Sequence, residues 1–189
     1  ARADFDRAFA RIDAAPIRSL AWDSFLIDAH ALAVLRRLMA DPAVRFGAAY
    51  LPGLDILRRR LIERTPVDGP VSDLVGASDA LEAYARWLSG RIRTVALEEA
   101  ERLVVVGDPG RSADGRAEGF VAIVGAGAKP ACVAADAVRP VDVAPMVLRA
   151  VGFPRSEEMG GDGDGGGCLV GEAANPPVVA SFGRRSVRD

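Results

Sequence analysis

The stretch Arg102-Leu-Val-Val-Val-Gly107 decides the fold that the sequence predicts. One leucine and three consecutive valines form an apolar run, as expected of a central parallel strand that is covered on both faces. A second run of this kind, Phe120-Val-Ala-Ile-Val124, follows after a polar, glycine-containing segment. The two runs together predict a parallel sheet.

Helical patterns lie on both sides of these runs. Apolar residues recur at helical spacing over residues 4–17 and 22–39, and Asp79 with Glu82 is typical of the start of a third helix. Asp142 is expected to cap a last helix. The pattern therefore indicates an α/β protein with a mostly parallel sheet flanked by helices.

The proline and glycine distribution predicts the remaining boundaries. Residues 44–51 are interpreted as a further strand that ends at Pro52-Gly53, and Gly152 is expected to terminate the last helix. The glycine-rich run 160–167 loses much backbone entropy on folding and has no apolar surface to bury.

We therefore expect an α/β domain over 1–158, with a helical lead-in over 1–40. A glycine-rich linker and tail is expected over 159–189.

Composition excludes several classes of function. The formal net charge of -2 and the pI near 5.5 give no electrostatic footprint for nucleic acid. No apolar stretch approaches the roughly 20 residues that cross a bilayer, so no membrane partner is expected. The chain is predicted to be soluble; its compartment is not determined, although the cytoplasm is favoured. Cys132 and Cys168 lack metal-site spacing and are interpreted as reduced thiols.

Two further motifs match known ligand-binding patterns only in part. The glycine run contains Asp162 and Asp164, but it lacks the glutamate and the flanking helices of a calcium loop. Gly125-Ala-Gly127 resembles only half of a dinucleotide-binding fingerprint. Neither motif predicts a cofactor.

Two segments have the pattern of a buried strand that delivers a carboxylate to the edge of a sheet. They are Tyr50-Leu-Pro-Gly-Leu-Asp55 and Val104-Val-Val-Gly-Asp-Pro-Gly110. Metal chemistry at such an edge usually needs imidazoles as well. The chain has a single histidine, His30, which lies in a predicted helix outside both segments and is interpreted as an ordinary helix residue.

The two segments are followed by residues 118–127 and then by a helix that contains Asp142-Val-Ala-Pro145 and ends in Gly-Phe-Pro. The order of these four segments is that of a known protein family. They resemble the C-terminal half of the alkaline phosphatase superfamily, in its type I phosphodiesterase and nucleotide pyrophosphatase branch, over residues 41–158. The resemblance implies a partial alkaline-phosphatase-like fold. It also implies two zinc ions held by aspartates and histidines, and a threonine or serine nucleophile in the other half.

The first family motif is partly retained. Tyr50, Gly53 and Asp55 match it, but Arg59 stands where the family has a histidine. A guanidinium beside the carboxylate competes with a metal dication, and Arg59 is expected to pair with Asp55 instead.

The second motif has lost its histidine as well. Asp108 and Gly110 match, whereas Pro109 replaces the imidazole and has no ligand atom on its side chain. Gly115 occupies the third histidine position. The resemblance therefore leaves Asp55 and Asp108 as vestigial metal positions, with no catalytic residue and no cofactor expected.

Three functional hypotheses follow. The first is a degenerate type I phosphodiesterase-like domain that serves as a non-catalytic scaffold or interaction module. The alternative is a C-terminal fragment of a zinc-dependent hydrolase of phosphate or sulfate esters whose nucleophile half is missing. The third is a partner-binding subunit, in which helices 4–17 and 22–39 dock on a second copy or on a partner chain that covers the missing half-domain.

Overall fold

The computed structural model describes residues 1–64, 69–95, 98, 100–107, 119–132, 138–161, 163, 168 and 177–181. The chain divides into two compact units, Ala1–Arg93 and Thr94–Asp189, called unit 1 and unit 2 below. The division expected at residue 158 remains a prediction. No helix among these described ranges combines the length and the apolar character that a bilayer crossing requires.

Unit 1 is built from helices. In chain order these are α1 (Arg2–Ala8), α2 (Ala15–Met39), α3 (Gly53–Arg64) and α4 (Val71–Thr94). The helix predicted over 4–17 is wrong in extent, because the chain leaves the helix after Ala8 and α2 begins only at Ala15. The helix predicted over 22–39 is confirmed within α2.

An aromatic cluster holds unit 1 together. Residues of three helices, together with Phe9 directly after α1, place neighbouring rings 4.5–6.3 Å apart, both stacked and edge to face. Such pairs stabilise a core beyond the area that they bury. The rings belong to Phe5, Phe9, Trp22, Phe25, Tyr84 and Trp87.

Contacts along α2 set the directions of its neighbours. Helix α3 runs antiparallel to α2, since its start at Gly53 contacts Asp28, while Arg60, further along α3, pairs with the earlier Asp23 at 3.4 Å. Helix α4 runs parallel to α2, because Gly76 lies beside Ile17 and the later Tyr84 contacts Asp28.

Unit 2 contains two small sheets and one helix. Strands β1 (Arg102–Gly107) and β2 (Phe120–Gly125) pair antiparallel, with Arg102 opposite Gly125. Helix α5 (Pro140–Ala150) precedes β3 (Arg155–Ser156), which pairs in parallel with β4 (Val178–Val179).

The predicted α/β class with a mostly parallel sheet is wrong. The described chain is mainly helical, and each of its two sheets has two strands. An apolar run does not give the direction of its partner strand. The burial expected on both faces is also wrong, since Val106 is 49% exposed and no residue of β1 or β2 is buried. The expected strand over 44–51 is wrong as well, because this segment has no ladder partner and runs without regular secondary structure.

The last helix is confirmed with a corrected cap. Helix α5 begins at Pro140, so Asp142 lies in its first turn, where its carboxylate accepts a hydrogen bond from the Arg139 backbone N–H at 3.0 Å. Gly152 follows the helix with φ +76°, a conformation that favours glycine. The Asp142 carboxylate accepts hydrogen bonds from both the backbone N–H and the guanidinium of Arg139.

Candidate functional site

Asp55 lies on the surface of a helix. It occupies the first turn of α3, and its Oδ2 atom is 3.3 Å from an Arg59 guanidinium nitrogen one turn later. Both side chains are exposed. The pairing expected from the sequence is confirmed, whereas the expected position of Asp55 at the end of a strand is wrong.

The other residues of the predicted metal positions cannot be placed. Asp108, Pro109 and Gly115 lie outside the described residues, so the vestigial metal position at Asp108 remains a prediction. His30 is exposed on α2. Over the part of the chain that the structure describes, no group of three or more histidine, cysteine, aspartate or glutamate side chains is arranged to hold a metal ion.

The most tightly organised polar contacts lie inside unit 1, and sequence reasoning missed them. Asp28 is fully buried, and its Oδ1 atom accepts a hydrogen bond from the Gly53 N–H at 3.0 Å. The Tyr84 hydroxyl lies 2.9 Å from Asp28 Oδ2 and 2.9 Å from the Ser24 carbonyl oxygen. We call Ser24, Asp28, Gly53 and Tyr84 the buried polar cluster.

Gly53 is required by the space that this cluster leaves. A Cβ atom at position 53 would overlap Tyr84 Oη and would lie 2.6 Å from the Ser24 carbonyl oxygen and 2.7 Å from Asp28 Oδ2. Real side chains do not approach this closely. Helix α3 can therefore begin against α2 and α4 only with a residue that has no side chain.

Burial controls the protonation of the cluster. Removal from water raises the pKa of Asp28, and the hydrogen bonds from Gly53 and Tyr84 only partly oppose this effect. Burial, with a further contribution from the adjacent carboxylate, raises the pKa of Tyr84. Both shifts favour the neutral forms of the two side chains.

The cluster cannot act on a substrate in this conformation, because water and ligands do not reach Asp28 or Tyr84. Its contacts join α2, α3 and α4 through one carboxyl group. One signal in the sequence could have revealed it: Asp28 falls on the apolar face of α2, between Phe25 and Leu32. A carboxylate in that position must be hydrogen-bonded if it is buried.

An open groove of about 510 Å³ lies between α2 and α3. The charges of its ionisable side chains cancel, because two are acidic and two are basic: Asp23, Glu63, Arg60 and Arg64. Arg60 is already paired with Asp23. The groove therefore presents no net charge that would select a ligand.

Two exposed apolar patches lie at different places on unit 1. The first, called the basic end, is on the C-terminal half of α2 and the segment after it, where Leu38 is 55% exposed. Arginines accompany these apolar side chains, with Asp41 as the one acidic residue over 34–46. The basic end consists of Val34, Arg36, Arg37, Leu38, Met39, Arg45 and Phe46.

The second patch, called the acidic end, is on the N-terminal half of α4. Val71 is 73% exposed and Val75 is 53% exposed. Asp79 follows on the same helix, and the sequence has no lysine or arginine over 71–85. Glu82, further along, is paired with Arg86. The acidic end consists of Val71, Asp73, Leu74, Val75 and Asp79.

Comparisons with protein-family models, with curated proteins and with solved structures find no match to this chain. The resemblance to the type I phosphodiesterase branch therefore remains a prediction from the sequence motifs.

Proposed function

We propose that the chain is a non-catalytic interaction module that associates with further copies of itself through the two ends of unit 1. The observation that carries the proposal is the presence, on one helical unit, of two exposed apolar patches with opposite flanking charge. Contiguous exposed apolar surface is typical of a protein–protein interface.

The two ends cannot cover each other within one molecule. Gly76, in the second turn of α4, lies beside Ile17 near the beginning of α2, whereas Leu38 is 21 residues further along α2. At 1.5 Å per residue the separation is roughly 30 Å. A contact between the basic end and the acidic end therefore requires a second copy.

Charge makes a second copy a suitable partner. Arg37 and Arg45 would face Asp73 and Asp79 at the rim of the contact, while the valines, Leu38 and Phe46 are removed from water. Complementary charges at a rim favour the correct orientation and raise the association rate, and salt weakens them.

The contact joins two different surfaces, so it is heterologous. Repetition of a heterologous contact produces a ring when the rotation closes and an open chain when it does not. A scaffold role follows from either arrangement, because each copy then holds two others.

Charge reversal tests the proposal. The variants Arg37→Glu/Arg45→Glu and Asp73→Arg/Asp79→Arg should each remain monomeric in sedimentation velocity at concentrations where the wild type associates. An equimolar mixture of the two variants should associate again, because each reversed end then meets a complementary one. Arg58→Glu, on the exposed face of α3, is the matched control and should associate as the wild type does.

Two results would overturn the proposal. One is a wild-type chain that remains monomeric up to high concentration at low salt. The other is association that survives either charge reversal, since the interface would then lie elsewhere. In the first case, crosslinking of the monomeric chain to a different protein would show that this protein, and not a second copy, covers the patches.

A further inference from the structure

The two cysteines of the chain are joined in unit 2. Cys132 and Cys168 form a disulfide with a Cα–Cα distance of 5.5 Å across 36 positions of sequence. The backbone beside it is also tied, since the Lys129 N–H donates a hydrogen bond to the Cys168 carbonyl oxygen at 2.9 Å. The interpretation of these residues as reduced thiols is therefore wrong; wide spacing in the sequence does not exclude proximity in the fold.

The described part of unit 2 buries few apolar side chains. Its buried side chains are mainly on α5, where Pro145, Met146 and Ala150 are buried, and its sheets have two strands each. Unit 1, by contrast, has a continuous apolar core that contains no cysteine. Small folds with a limited core commonly depend on disulfides.

We infer that unit 2 requires this disulfide for its fold, and that the chain consequently works in an oxidising compartment. A crosslink over 36 positions removes much of the freedom of the unfolded chain. It also fastens Cys168 to the end of the turn that follows β2. A reducing compartment would keep both thiols free, so the cytoplasm favoured from composition is not the place where unit 2 is stable.

The bond forms by exchange with a disulfide donor such as an oxidised low-molecular-weight thiol. The thiolate of one cysteine attacks the donor, releases one donor thiolate and leaves a mixed disulfide. The second cysteine attacks the protein sulfur of that mixed disulfide and releases the second donor thiolate. Two protein thiols lose two protons and two electrons, and the donor disulfide is reduced to two thiols.

Peptide mapping tests whether the bond is present. The chain is refolded with oxidised glutathione, alkylated in denaturant without reductant, and digested with trypsin. Cleavage after Arg149 and Arg155 separates the cysteines, so the peptides 117–149 and 156–184 should appear as one linked mass that a reductant resolves into two. Two alkylated cysteines, or a disulfide between chains, would overturn the inference.

The two units can be observed separately. Trp22 and Trp87 are the only tryptophans and both lie in unit 1, so tryptophan emission reports that unit alone. Hydrogen exchange of Pro140–Ala150 reports unit 2. Reduction should accelerate exchange in α5 on the order of a few hundredfold and leave tryptophan emission unchanged.

Serine variants distinguish the effect of losing the disulfide from any other effect of the reductant. The amide hydrogens of α5 should exchange at the same rate in Cys132→Ser, in Cys168→Ser and in the double variant. This rate should equal that of the reduced wild type, because each variant lacks the same crosslink. Unchanged protection of α5 after reduction would overturn the inference, as would loss of protection together with a change in tryptophan emission.

Discussion

The Gly53 N–H donates a hydrogen bond to Asp28 Oδ1 at 3.0 Å, and this bond joins the start of α3 to the middle of α2. The first N–H groups of a helix have no partner within the helix, so a carboxyl oxygen at this point satisfies a donor that would otherwise be buried and unpaired. The positive end of the α3 dipole lies at the same point and also favours a carboxyl oxygen there. The contact is possible only because position 53 has no side chain.

Gly53→Ala should strongly destabilise unit 1. The added Cβ would overlap Tyr84 Oη, so either α3 must shift or the cluster must open. We expect a loss of about 2–4 kcal/mol in the free energy of unfolding, the range of disruptive core substitutions. Urea denaturation followed by tryptophan emission measures it.

Gly90→Ala is the matched control, since a Cβ atom at position 90 of α4 meets nothing within 4 Å. It should stabilise unit 1 by about 0.5–1 kcal/mol through helix propensity. Equal effects of the two substitutions would contradict the close packing at Gly53.

Asp28→Asn should leave unit 1 as stable as the wild type at neutral pH, or more stable. The single hydrogen of the Tyr84 hydroxyl cannot fully serve both the carboxylate and the Ser24 carbonyl. An amide nitrogen in place of Oδ2 donates to Tyr84 and allows the hydroxyl to donate to Ser24, while its oxygen still accepts from Gly53. Asp28→Ala removes these partners and should cost about 2–4 kcal/mol in urea denaturation.

Asp28 should also impose a pH dependence that Asp28→Asn removes. Because burial raises the pKa of Asp28 above its ordinary 3.8, the folded state binds a proton that the unfolded state has released. Its contribution is full below pH 3.8 and is lost as the pH rises through the raised pKa. The difference in unfolding free energy between variant and wild type should therefore grow with pH over that window.

The control for this comparison is Asp23→Asn, an aspartate of the same helix that is half exposed and pairs with Arg60. Its effect should stay below about 1 kcal/mol. A difference between Asp28→Asn and the wild type that is independent of pH from 3 to 8 would contradict a raised pKa in the folded state.

Tyr84→Phe should destabilise unit 1 by about 1–3 kcal/mol, since the carboxyl of Asp28 and the carbonyl of Ser24 lose the one hydroxyl that they share, in a place that water does not reach. Tyr50→Phe is the matched substitution at a side chain that is 80% exposed, and it should be neutral within about 0.5 kcal/mol. Thermal unfolding of both variants compares the two hydroxyls directly. Equal midpoints would show that the buried hydroxyl contributes nothing.

The sequence predicted the helices better than the arrangement around them. Periodicity identifies an apolar face, so the pattern in 22–39 and the Gly152 stop were interpreted correctly. The periodicity of apolar residues does not indicate the direction of a neighbouring strand. The valines of β1 therefore predict a parallel sheet, whereas the structure has an antiparallel pair. The buried polar cluster joins residues 24, 28, 53 and 84, a relationship that local patterns do not encode.

Arg59→His tests what remains of the predicted metal position. Restoring the imidazole that the resemblance expects puts a second metal-binding group one helical turn from Asp55, on the exposed face of α3. Two ligands on a solvated helix leave a zinc ion short of the three or four protein ligands of an established site. Calorimetric titration should therefore give a Kd weaker than about 10 μM. Micromolar or tighter binding would require further ligands near Asp55 and would favour the hydrolase alternative over an interaction module; Asp55→Asn in the same background shows whether any heat comes from this pair.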